Sequence, residues 1–232
     1  METLLAIDTS TSQASVALAI GDAMHHCEQG NIREHAQYLL PMIDQLLTQA
    51  GVTLSSLDGI VLGRGPGSFT GLRIACSVVK GLAYAHDMPI YPVSSLAAIA
   101  EAVFDEELKS VIDENRVEFG GVLTIIDARM QEVYWDYYTV DGAHLEERVS
   151  SVSAIKLPEQ RPFILAGVGF EDYLCELPQV IQRHCIKHQT VFPNGQAMIR
   201  FVRAGRSSPV SAGEVLPIYV RNQVVSKGVS GG

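Results

Sequence analysis

Two short stretches hold the residue types that could handle a phosphate. Asp8-Thr9-Ser10-Thr11 places a carboxylate and three hydroxyls directly after the apolar run TLLAID. A carboxylate with hydroxyls at a turn between strands can hold a metal-bound phosphate. The same residues also suit a plain polar turn, in which Asp8 and Ser10 bond local backbone groups. The second stretch is GRGPGSFTG at 63–71. Gly65 and Gly67 can take positive φ and bring backbone N–H groups close to an anion. Ser68 can cap the helix that follows, whose N-terminus favours negative charge, and Arg64 adds a cation. The loop has no GK[ST] and is not GxGxxG. It therefore reads equally as a tight strand-to-helix turn. Asp8, Thr9, Ser10, Arg64, Gly65, Gly67 and Ser68 form the candidate nucleotide or anion loop, of residual character.

Other reactive side chains point nowhere in particular. His184 and His188 stand four apart, which on a helix puts both on one face beside Cys185, as metal ligands would need. The surrounding QVIQRHCIKHQTVF also reads as strand, and no acidic residue sits at a typical ligand spacing. His25 and His26 alternate faces of a strand. No G-x-S-x-G elbow and no Cys–His pair suggests a covalent nucleophile. No metal site and no catalytic residue is expected.

These residues must be positioned by α/β elements. TLLAID, SVALAIGD and MHHCEQ predict three strands in a meander. Residues 34–50 carry Leu39, Leu40, Ile43, Leu46, Leu47 and Ala50 at helical spacing, with Gly51 as a stop and Pro41 as a source of a kink. LDGIVLGR predicts a buried strand, Phe69–His86 a long helix, PIYPV a strand, and Ser94 the start of another helix. The charged stretch 105–118 reads as a link. Beyond it the pattern restarts, with Asp127 ending a strand as Asp8 does. Two related subdomains with a cleft between them follow: 1–104, a shorter 105–225, and a frayed tail at 226–232.

The helix at 69–86 is apolar around most of its circumference. Arg73, Ser77, Lys80 and Tyr84 form its single polar stripe. A surface helix usually buries one stripe, so this one needs cover on two sides. The sheet supplies one. The helix at 34–50, or a second protein, supplies the other.

The 232 residues suffice for one large or two small domains. A net charge of −9 argues against binding nucleic acid alone, which draws on many lysines and arginines. Four scattered cysteines without a CxxC pair suit a reduced, cytoplasmic protein. The N-terminus lacks the pattern of a signal peptide, and no run is long and apolar enough to span a membrane.

LLAIDTSTSQASVAL, REHAQYLLPMIDQLL, GRGPGSFTGLRIACSVVKGLA, IDARMQEVYW and PIYVRNQV together resemble the TsaB (YeaZ) family. The likeness is strong in the first half and weak between 150 and 210. It implies an actin-like, sugar-kinase-type (ASKHA) α/β fold of two duplicated subdomains. It also implies an accessory role beside TsaD, which transfers a threonylcarbamoyl group to the adenosine next to the anticodon in tRNAs reading codons that start with A. The ATPase TsaE joins that assembly. In TsaD-like relatives a His-x-x-x-His helix binds the metal, and its positions fall here on Ser95 and Ile99, neither of them a metal ligand of that kind. A metalloprotease would need the same ligands. The resemblance thus implies a non-catalytic subunit that binds TsaD, self-associates to a homodimer when alone, meets tRNA through the complex, and has no cofactor of its own, with ATP or ADP only at the joint with its partner. The interface expected is His35, Tyr38, Leu39, Met42, Leu46, Leu72, Ile74, Ala75, Val78, Val79 and Leu82. The alternatives are an independent nucleotide-dependent kinase of the same fold and a tRNA-binding module.

Overall fold

Two five-stranded sheets with one shared topology organise the chain. The computed structural model describes residues 2–30, 35–115, 119–158 and 160–217, with the backbone alone over 107–115. The YVRN segment, the tail 226–232, and Arg33 and Glu34 lie outside the described residues.

In the first sheet, β1 (Thr3–Asp8), β2 (Gln13–Ile20) and β3 (Ala23–Gly30) form the antiparallel meander. β4 (Gly59–Gly63) and β5 (Ile90–Val93) add in parallel, giving the order β3-β2-β1-β4-β5. β1 and β4 are buried at every position, which their unbroken apolar sequences require of strands covered on both faces. The second sheet repeats the plan with β6 (Gly121–Arg129), β7 (Glu132–Thr139), β8 (Arg148–Ser150), β9 (Phe163–Val168) and β10 (Cys185–Thr190), in the order β10-β9-β6-β7-β8. β6 pairs antiparallel with β7 and parallel with β9, as β1 does with β2 and β4. The molecule has the actin-like ASKHA fold.

α1 (His35–Ala50) and α2 (Phe69–His86) cover one face of the first sheet. α1 runs through Pro41 as one helix. α2 starts at the Ser68 cap, whose hydroxyl accepts from the Gly71 N–H at 3.3 Å, and stops at Asp87, held at φ 51°. The other two layers are exchanged between lobes. α3 (Ser95–Asn115) lays Leu96, Ile99, Ala100 and Val103 against Val122, Ile126 and Ile164 of the second sheet. α4 (Gln179–His184) is a short turn before β10. α5 (Gly195–Arg203) returns to the first sheet, where Met198, Ile199 and Val202 pack on Leu4, Ala6 and Ala17.

This exchange corrects two expectations. The boundary at 104/105 falls inside α3, and the stretch from 105 to Asn115 is helix rather than link. The second unit, read as 105–225, is split in space, because α5 and Val210, which bonds Ile90 in both directions, belong with the first sheet.

Candidate functional site

Asp8 ends β1 with no exposed surface. Its Oδ1 accepts from the Ser10 N–H (2.8 Å) and the Ser10 hydroxyl (2.7 Å), and its Oδ2 accepts from the Ser95 hydroxyl at the head of α3 (3.0 Å). Burial raises the Asp8 carboxyl above its ordinary range, and these three donors partly offset the rise. The group is therefore consumed inside the protein. Thr9 turns the same way, its hydroxyl donating to the Gly71 carbonyl at 2.7 Å.

The glycine loop is filled from within by that turn. The Ser68 N–H donates to the Ser10 carbonyl at 2.6 Å, and the Ser95 N–H to the Gly65 carbonyl at 2.9 Å. A Cβ on Gly63 would overlap the Asp8 carboxylate, and one on Gly71 would overlap the Thr9 carbonyl. These glycines admit neighbouring backbone. Gly65, at φ 96°, makes the turn before the cis Gly65–Pro66 bond. Arg64 leaves the loop altogether: its guanidinium grips both oxygens of Glu147 in the other lobe, at 2.9 and 3.2 Å. The structure thus brings Asp8, Thr9, Ser10, Gly65, Gly67 and Ser68 together, but as one packed joint, and takes Arg64 away.

The second lobe holds the counterpart. Asp127 Oδ1 accepts from the Arg129 N–H at 2.8 Å, the same two-residue step as Asp8 to Ser10. Gly169 abuts Asp127 as Gly63 abuts Asp8. Between the two turns lies a cleft of about 700 Å³, bounded by Ser10, Ser12 and Ser68 on one side and by Asp127 and Arg129 on the other. Arg129 is the one cation among its described lining residues, and it pairs with Asp127 at 3.3 Å. Such a wall has little with which to neutralise a polyphosphate. His184 ends α4 with Nδ1 2.8 Å from the Val180 carbonyl, while His188 lies in β10, so the one-face pairing does not form.

The family model for TsaD, tRNA N6-adenosine threonylcarbamoyltransferase, matches residues 24–186. The tRNA threonylcarbamoyladenosine biosynthesis protein TsaB of Haemophilus influenzae is 33% identical, with 99% of this chain and 98% of that protein aligned. Its Escherichia coli namesake is 30% identical over 98% of each. The chain belongs to the TsaB family. Solved structures agree. YeaZ from Pseudomonas aeruginosa superposes with a TM-score of 0.79 at 35% identity, covering 94% of this chain and all of the other. A Pseudomonas aeruginosa protein described as similar to peptidase YEAZ reaches a TM-score of 0.83 at 36% identity, covering 95% of this chain and 100% of that one.

Against this TsaB framework, Ser95 and Ile99 are both fully buried, Ser95 on Asp8 and Ile99 in the core of the second lobe. The expected interface needs correction. His35, Leu39, Met42, Leu46, Leu72, Ala75 and Val79 are buried in this chain's own structure, most of them in the core beneath α1 and α2. Residues at most 7% exposed have little surface left to bury against a partner. Tyr38, Ile74, Val78 and Leu82 are half-buried at the edge of that core. The outward face is made by other residues: Leu40 (53% exposed), Phe69 (52%) and Tyr84 (85%). A shallow depression of about 460 Å³ lies between Ala36 and Phe69, Ile74 and Val78. Gly81 sits mid-helix on the exposed side of α2, where a Cβ would meet only open space. Of the two sources of cover foreseen for α2, α1 closes part of its flank, the Arg73 guanidinium lies over the Phe69 ring, and Gly81 and Tyr84 are exposed. Tyr84 was legible as a surface position, since it belongs to the polar stripe of the helix, whereas Leu40 was read among the apolar positions of 34–50.

Proposed function

We propose that this chain is a non-catalytic, cytoplasmic partner subunit which, with TsaD and TsaE, is required for transfer of the threonylcarbamoyl group to the adenosine beside the anticodon. The outward face of α1 and α2 carries the reading. Leu40, Phe69 and Tyr84 stand exposed on these two helices, with Phe69 lining a depression, and exposed apolar surface favours a contact role. Gly81 adds to it. A mid-helix glycine costs about 1 kcal/mol relative to alanine, and nothing among the described residues occupies the space it leaves. A partner helix approaching closely would. The packed Asp8 joint also favours a supporting role, because its carboxylate has no oxygen free of internal donors.

TsaD is the partner on this face, a second copy takes its place when the chain is alone, and TsaE and tRNA join through the complex. ATP or ADP is held only where the partner completes the cleft. Co-purification with TsaD tests the surface. Gly81→Ala should stabilise the free chain and weaken the complex, whereas Gly81→Trp should keep the fold and lose TsaD. Retention of TsaD by Gly81→Trp at wild-type yield would reject this face.

A further inference from the structure

A second cavity, of about 360 Å³, lies at the end of the second sheet remote from Asp127. Here the loop between β7 and β8 meets α3 and α5. Its organising group is Asp136, which has no exposed surface. Oδ1 of Asp136 accepts from the N–H groups of Tyr137 (2.7 Å) and Glu146 (3.1 Å), and Oδ2 lies 3.0 Å from His144 Nδ1. In the tautomer whose Nδ1–H donates to this carboxylate, Nε2 is the ring's acceptor. Nε2 has no partner among the described residues. Tyr138 covers one face of the ring, with centroids 5.4 Å apart and planes 21° from parallel. The side chain remains 54% exposed at the cavity.

Charge at the rim is spent internally. Arg64 holds Glu147 through two hydrogen bonds, and Arg206 pairs with Glu101 while lying over the Phe201 ring. Phe104 and Phe201 give the remaining wall an aromatic lining. A phosphate or carboxylate would find no uncommitted cation among the described lining residues. A flat ring would find an imidazole face, aromatic walls and one oriented acceptor. Residues of both lobes contribute, so an occupant would touch each of them.

We propose that this cavity binds an uncharged, planar heteroaromatic molecule of nucleoside size, which stacks beside His144 and donates an N–H to Nε2. Adenosine is a suitable probe, titrated into the full chain by calorimetry and by NMR of the histidine ring, with AMP in parallel. The expected result is saturable adenosine binding with a Kd between about 10 μM and 1 mM, a shift of the His144 resonances, and weaker binding of AMP. His144→Ala strips the buried Asp136 Oδ2 of its His144 partner and should lower the melting temperature, so binding is compared well below that transition, where adenosine should weaken about tenfold or more. His144→Gln, which retains an acceptor, should fall between them. Absence of saturation at several times that Kd range, equal binding by His144→Ala, or tighter binding of AMP than of adenosine would overturn the proposal.

Discussion

Replacing Asp8 by alanine separates a structural carboxylate from a ligand-binding one. The change strands three donors: the Ser10 N–H, the Ser10 hydroxyl and the Ser95 hydroxyl, all on residues with at most 1% exposed surface. A buried donor left without an acceptor costs about 1–3 kcal/mol. The two hydroxyls can rotate toward other acceptors, so the sum discounts to about 2–4 kcal/mol. In a chain of this size that is a fall of roughly 5–15 °C in Tm. Asp8→Asn behaves differently. Its amide oxygen keeps both Ser10 bonds, and the Ser95 hydroxyl can reverse to accept from the amide nitrogen, so its stability should lie within about 1 kcal/mol of the parent. The pH dependence follows from the raised carboxyl. Above the ordinary carboxylate range the folded state holds the Asp8 proton more tightly than the unfolded state does. Stability attributable to Asp8 is then complete at acid pH and declines as pH rises toward the raised folded value. Asp8→Asn should remove that decline and gain on the parent as pH increases. Urea unfolding followed by circular dichroism at several pH values measures all of this. Equal stability of parent and Asp8→Ala, or equal damage from Ala and Asn, would refute the packed-joint account.

Arg64→Ala leaves the mostly buried Glu147 without its partner. Breaking a fully buried pair costs about 3–5 kcal/mol, and partial exposure reduces this to about 1–2 kcal/mol, read as a lower Tm; an unchanged Tm would show the interlobe clasp to be idle. Calorimetry with magnesium and ATP on the isolated chain should show no binding tighter than about 1 mM, because the cleft's one described cation is already paired with Asp127. Micromolar binding with turnover would favour the kinase alternative.

Much of the scaffold was legible because its signals are local. α2 runs over Phe69–His86 as its periodicity and the Ser68 cap indicate. The repeat was visible in the matched carboxylates Asp8 and Asp127, and the structure extends the match to Gly63 and Gly169. What escaped was tertiary. The charged residues from 105 onward look like a link because a charged helix and a linker share a composition. The return of α5 to the first sheet has no local signature. Between 150 and 185 the second lobe replaces long helices with 3-10 turns at Val152–Ala154 and Glu171–Glu176, too short to display a helical period. The glycine loop misled for a related reason. Sequence shows where backbone can approach closely, and only the fold shows that the approaching backbone is the chain's own Ser10 turn. In α2, likewise, composition revealed an excess of apolar surface but not its phase, so Ala75 and Val79 were assigned outward when the core against the first sheet holds them.

The central claim concerns what the chain contributes to modification of tRNA. The most direct measurement is the rate of threonylcarbamoyl transfer to tRNA in a reconstituted mixture of TsaD, TsaE, the threonylcarbamoyl adenylate and ATP, with and without this chain. The account predicts negligible transfer when the chain is omitted, full transfer with the parent or Asp8→Asn, and loss with Gly81→Trp. Undiminished transfer without the chain, or abolition by Asp8→Asn in a folded protein that still binds TsaD, would contradict it.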